Sequence, residues 1–300
     1  MKFDTFLKKK IHPEEFISQV NIISGCDFLF ASQYFVHENK KHFGITPDTK
    51  IITKAPDADS VIMCRFKDGE VLDLIESCRE NFQYYYVIVQ TLIGDDGFIT
   101  DDVIADLPEN ILAIYSKNTY FRDPKLIAIP IGRDWRNTSE NNIHTYIKKY
   151  SDVYKKMAYL NFSIDTNQLI RSYVFNKFKD QPWVTQRKPE KYGNYDLTHT
   201  DYLEEMSKHL FAFSPVGRAM DCYRTWDALY AKCIPIVDLN VHTSNWNDLP
   251  VILVQNWKDI NKDHLEEYYM DVRKKEIPFD KMTGNYWKKM IKDSLNGRSG

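Results

Sequence analysis

The stretch FAFSPVGRAMDCYRTWDALYAKCIPIVDL, residues 211–239, reads as strand, tight loop, helix and strand in direct succession. The run ending at Ser214 is apolar and β-prone, Pro215 and Gly217 punctuate it, a helix opens near Asp221, and IPIVDL resumes extended structure. A strand, a crossover helix and a second strand in that order make a unit of parallel sheet. The turn between the first strand and the helix brings free backbone N–H groups and the positive end of the helix to one place, a setting that favours a phosphate. Gly217 gives the backbone room to approach a ligand, and Arg218 or Arg224 supplies the planar fork that grips diphosphate oxygens.

The same alternation extends outward from this stretch. Towards the amino end come strand MAYLNF (157–162), a helix over 168–178, strand WVTQ (183–186) and a helix over 201–208, and towards the carboxyl end strand VILV (251–254). A polar span RDWRNTSENN (133–142) reads as a linker, with Ser139 or Asn141 capping the helix after it. Before it lies a second series: KIIT, SVIMCRF, an amphipathic helix over 70–81, YYYVIVQT, and strands at 111–115 and 126–131. The expected organisation is an amino-terminal α/β domain over 1–145, a second one over 146–280, and a terminal helix within 281–300 that packs back on the first through Tyr286, Trp287, Met290 and Ile291.

Composition narrows the partners. A net charge of −2 offers no general attraction for nucleic acid, and no run approaches the roughly 18 apolar residues of a membrane span. The first ten residues, MKFDTFLKKK, carry positive charge without the apolar core of a signal peptide, so a cytoplasmic protein is expected. Five cysteines (Cys26, Cys64, Cys78, Cys222, Cys233) are odd in number and lack CxxC spacing, which argues against both a disulfide framework and a zinc site. On that view the sequons at Asn137 and Asn161 are incidental.

Three blocks carry a family resemblance: Ser214-Pro215-Val216-Gly217, then Arg224-Thr225-Trp226-Asp227-Ala228-Leu229, then Cys233-Ile234-Pro235-Ile236-Val237. They are similar to the Ser/Cys-Pro-x-Gly, Arg-x-x-Glu-Ala-Leu and Gly-Cys-Ile-Pro blocks of exostosin-like glycosyltransferases, and 249–260 resembles that family's following strand and Asp-Trp turn. Asp227 stands where the family has Glu, and Lys232 where it has Gly. The resemblance implies a GT-B architecture, two Rossmann-like domains facing a central cleft, and inverting transfer from a UDP-sugar (xylose, galactose or glucuronic acid) to a hydroxyl of a glycan acceptor, with no metal or other cofactor. A GDP-fucose-type transferase and a non-catalytic nucleotide- or carbohydrate-binding protein of the same fold are the alternatives.

Within that frame, Arg171 and Arg224 are expected to stabilise the charge that grows on the departing diphosphate. Ser214, Pro215, Gly217, Arg218 and Asp221 would line the donor site, Asp227 would bind ribose, and Thr198, Arg187 and Trp183 lie where the base would sit. An inverting transfer also needs a base on the acceptor side. Asp95 and Asp96, in the loop GDDG after a strong strand, are the first candidates and His37 the next. Asp57-Ala58-Asp59 resembles a metal motif but precedes a strand and reads as a turn; Trp246 is either a core residue or a platform for a sugar ring.

Overall fold

The computed structural model describes residues 34–36, 50–64, 70–90, 99–132, 155–187, 191, 193 and 196–297. The polar span 133–142 and the candidates His37, Asp95 and Asp96 lie outside these residues.

Over the described residues the chain divides into two compact units, one of residues 34–131 with 281–297 and one of residues 132–280. The first is built on a sheet of β1 (Tyr34–Val36), β2 (Lys50–Ile52), β3 (Ser60–Cys64), β4 (Tyr86–Gln90), β5 (Ile111–Ser116) and β6 (Leu126–Ala128). Every pairing is parallel and the order is β2-β1-β3-β4-β5-β6. Strands β3 and β4 are buried at every position, which is why their sequences run apolar without alternating. Helix α1 (Glu70–Glu80) turns Leu74, Ile75 and Cys78 into the core, and the short α2 (Asp101–Ala105) is capped by Thr100.

The second unit carries β7 (Lys156–Leu160), α3 (Gln168–Phe178), β8 (Val184–Gln186), α4 (His199–Ser207), β9 (His209–Ser214), α5 (Tyr223–Tyr230), β10 (Ile234–Asp238), β11 (Ile252–Val254) and α6 (Lys262–Val272). Its sheet is again wholly parallel, in the order β11-β10-β9-β7-β8. Counted from its own first strand this is 2-1-3-4-5 read from the other edge, and the first five strands of the other sheet have the same order. Two doubly wound parallel α/β units of this kind are the GT-B plan. The core of the second unit stacks Phe213 on Phe178 at 4.6 Å between ring centres, with Trp183 and Trp257 against the same ring. Trp183 is half-buried and packs against this core.

Helix α5 ends in a Schellman turn: Cys233 N–H donates to the Ala228 carbonyl and Lys232 N–H to Leu229. Lys232 holds φ 57°, the left-handed conformation that glycine adopts without strain, which accounts physically for the glycine of the family pattern at this place. Helix α6 was not read from the sequence, although its signals are present: Asn261 caps it by accepting from His264 N, and Leu265 and Val272 are buried seven residues apart. The last helix, α7 (Gly284–Asn296), belongs to the first unit, where the Tyr115 hydroxyl on β5 meets Ser294 Oγ at 2.6 Å and the Met290 carbonyl at 3.2 Å. Among the described residues no helix is long and apolar enough to cross a membrane.

Candidate functional site

In the second sheet β7 and β9 are neighbours, but the chain leaves β7 towards β8 on one side and leaves β9 towards β10 on the other. The crevice beyond the carboxyl ends of two such strands is where doubly wound folds bind ligands. Residues following Leu160 and residues following Ser214 meet there.

Arg171, on α3, holds this junction together. Its Nε donates to the Val216 carbonyl (3.1 Å), Nη1 to the Ser163 carbonyl (2.9 Å) and Thr166 Oγ1 (2.5 Å), and Nη2 to the Pro215 carbonyl (3.0 Å) with Cys222 Sγ at 3.4 Å. All five N–H donors of the guanidinium therefore have protein partners. The residue is 5% exposed, and burial pulls its pKa below the ordinary guanidinium value. Arg171 ties the two loops to each other, and no donor is left over for a diphosphate.

The bend at 215–217 differs from the sequence reading for the same reason. A Cβ placed on Gly217 would lie 2.7 Å from Arg171 Nη2, so glycine is required by the arginine behind it, and the glycine face of the bend is filled by Arg171 and Cys222. Asn167 Nδ2 takes the Gly217 carbonyl at 3.2 Å, so three successive carbonyls are bound from the α3 side. Val216 N–H donates at 2.6 Å to Asp238 Oδ2, whose other oxygen accepts from Trp257 Nε1 at 2.6 Å. Burial pushes the Asp238 carboxyl above the usual range against the pull of these donors and of Arg171. The bend is thus a braced strut, and its Val216 N–H is engaged within the protein. Asp238 went unassigned in the sequence; its place at the end of β10 was the available signal.

Arg224, the second residue of α5, is the opposite case. Its Nε is buried without a hydrogen-bond partner, and the side chain makes no ion pair among the described residues, so the i,i+3 pair with Asp227 does not form. Its guanidinium carbon lies 5.6 Å from the centre of the Phe162 ring, and that of Arg171 is the same 5.6 Å from it. Two cations thus share one ring at the end of β7, one fully bonded and one not.

The remaining candidates divide into those near this centre and those beside it. Ser214 Oγ pairs with Thr225 Oγ1 at 2.9 Å and fastens β9 to α5. Asp221 stands ahead of the helix, its carboxylate accepting from Cys222 N and Trp226 Nε1, both at 2.6 Å, so α5 opens at Tyr223 and not at Asp221. Asp227 is buried on α5 beside Tyr202, a phenol that sequence reasoning missed and that burial holds well above the usual tyrosine range near Arg224 and Asp227. Arg218 is exposed on the bend. Arg187 follows β8, its N–H on the Leu160 carbonyl and its guanidinium paired with Asp196 at 2.8 Å. Thr198 caps α4 in a reciprocal pair with Asp201. Trp246 is 4% exposed and packs edge-on against Trp226, a core position. Asp57 and Asp59 accept from Asn81 Nδ2 and Tyr85 N, as turn residues do.

Comparison with known proteins adds to this geometry. A family model described as the RXYLT1 C-terminal domain matches residues 133–296, more than half of the chain. The chain belongs to the RXYLT1 C-terminal domain family. That places it among the exostosin-like glycosyltransferases, and the matched region contains the whole of the β7–β9 junction. Solved structures similar to the chain include an α1,3-fucosyltransferase (TM-score 0.48, 10% identity, 89% of this chain and 91% of that one). An α,α-trehalose 6-phosphate synthase from Burkholderia multivorans also matches (TM-score 0.45, 11% identity, 81% and 72%). So does the amino-terminal domain of trehalose-6-phosphate phosphatase from Candida albicans (TM-score 0.43, 13% identity, 79% and 71%). None of the curated proteins compared with the chain matches it.

Proposed function

We propose that this glycosyltransferase takes its sugar from a nucleoside diphosphate donor, with UDP as the nucleotide and xylose, galactose or glucuronic acid as candidate sugars, and passes it with inversion to a hydroxyl of a glycan acceptor. The observation that carries the donor reading is Arg224: its Nε is buried without a hydrogen-bond partner, and its guanidinium makes no hydrogen bond or ion pair among the described residues, at the amino end of α5 beyond the carboxyl end of β9. A buried donor left unmatched costs about 1–3 kcal/mol, so its persistence is best explained by a ligand that completes it. A diphosphate fits: it presents oxygens to a planar fork and gains from the positive end of the helix. As the bond from the anomeric carbon to phosphate breaks, charge moves onto those oxygens, and a fixed cation there lowers the barrier.

In this reading Arg224 contacts the diphosphate, and Asp227 and Tyr202 border the ribose. Ser214, Pro215 and Gly217 set the position of α5, while Arg171 braces the bend without contacting the donor. Asp95, Asp96 or His37 supplies the acceptor-side base. No metal enters the scheme. The test is a hydrolysis screen across UDP- and GDP-sugars, because slow transfer to water reveals the donor without knowledge of the acceptor. One UDP-sugar should be consumed by the wild type and not by Arg224→Ala. Turnover of every donor at the uncatalysed rate, or full turnover by the variant, overturns the assignment.

A further inference from the structure

The bend at 215–217 is gripped from two sides by groups of opposite charge. On the α3 side Arg171 and Asn167 together bind the carbonyls of Pro215, Val216 and Gly217. On the β10 side the Asp238 carboxylate binds Val216 N–H and is itself fixed by Trp257. A single peptide plane, Pro215 C=O with Val216 N–H, is therefore held between a buried cation and a half-buried anion.

Several contacts pass this constraint to the start of α5. Cys222, the residue before the helix, has its Sγ on both Arg171 Nη2 (3.4 Å) and the Pro215 carbonyl (3.5 Å). Ser214 pairs with Thr225 one helical turn on. The Phe162 ring bears Arg171 and Arg224 at equal distance, so a displaced Arg171 also releases the surface against which Arg224 lies. Asn240, just beyond β10, donates to the Met220 carbonyl at 3.1 Å, which fixes the far end of the same loop.

We propose that Asp238 and Arg171 are positioning residues for the donor: from opposite faces they hold the 215–217 bend, and through it α5 and Arg224, where the diphosphate is received. The inference rests on the donor reading above. Neither residue touches the ligand. Each acts by fixing geometry, and a displacement near 1 Å in such a frame costs heavily in binding of the group it serves.

The experiment measures the dissociation constants of UDP and UMP by titration calorimetry for the wild type, Asp238→Asn, Arg171→Lys and Arg224→Ala, with the melting temperature of each. The ratio of UMP to UDP constants isolates the second phosphate, which a loss of general stability would not change. Asp238→Asn keeps the shape but accepts only one of its two donors, and Arg171→Lys keeps the charge but not the fork. Each should reduce the ratio about tenfold, the effect of one charge-assisted hydrogen bond. Should one of the two fail to fold, the other carries the same test. If both keep the wild-type ratio while Arg224→Ala loses it, the positioning role is overturned and the donor reading stands. If Arg224→Ala also keeps the ratio, the donor reading falls and this inference with it.

Discussion

Gly217→Ala puts the brace at the β7–β9 junction to a quantitative test. The added methyl would lie 2.7 Å from Arg171 Nη2, 3.3 Å from its central carbon and 3.6 Å from Cys222 Sγ. An arginine tip elsewhere would swing aside at little cost. Here the same guanidinium is bonded to Ser163, Thr166, Pro215 and Val216, so movement of Nη2 gives up the Pro215 bond and strains the rest. Hydrogen bonds to charged groups contribute about 1.5–3 kcal/mol each, which sets the expected loss at about 2 kcal/mol. Backbone strain adds nothing, since Gly217 does not hold a positive φ. Urea unfolding followed by tryptophan fluorescence suits the measurement, because Trp183, Trp226, Trp246 and Trp257 all lie in the unit that contains Gly217. The decisive form is a double-mutant cycle with Arg171→Ala, in which the methyl meets no obstruction and its cost should nearly vanish. Additive losses in the double variant would refute the reasoning.

Two further outcomes follow from the fold. His209 donates from Nδ1 to the Glu205 carbonyl (2.8 Å), stacks on Tyr159 at 4.9 Å, and keeps Nε2 buried without a partner; burial, with Lys155 and Lys156 nearby, lowers its pKa from 6.5 to about 4. The imidazole is neutral in the folded chain, whereas the unfolded chain takes up a proton below pH 6.5. Stability is therefore unaffected by this group above pH 6.5 and declines as pH falls from 6.5 to 4, by about 3 kcal/mol in all. His209→Phe, which retains the stack, should remove that part of the slope between pH 6.5 and 4 in urea midpoints, and an unchanged slope would contradict it. Tyr115→Phe removes the hydroxyl that joins β5 to Ser294 and Met290 on α7. It should cost about 1–2 kcal/mol and speed amide exchange over residues 284–296, and unaltered exchange there would show that the helix is held by other contacts.

The parallel α/β character was legible because strands buried on both faces write continuous apolar runs, as VIM in β3 and VIV in β4 do, and because helices such as Gln168–Phe178 separate them. The blocks around Ser214, Arg224 and Cys233 pointed to the family, and they fall at the junction of β7 and β9. Which of two arginines is free to meet a ligand was not legible. Arg171 and Arg224 look alike as residue types, and only the fold reveals that one has all its donors bound while the other keeps a buried Nε without a partner. Gly217 misled for a similar reason: the sequence records that space is needed beside it, but not that Arg171 fills the space. Asp238 was invisible because its two partners, Val216 and Trp257, are 22 and 19 residues away.

The central claim is that Arg224 receives the diphosphate of the sugar donor, and calorimetric titration of UDP into the wild type and Arg224→Ala tests it most directly. Loss of two charge-assisted hydrogen bonds predicts affinity weaker by about a hundredfold or more in the variant, with the melting temperature little changed because the side chain has no hydrogen-bonded partner to lose among the described residues. Equal affinity in the two proteins would contradict the account.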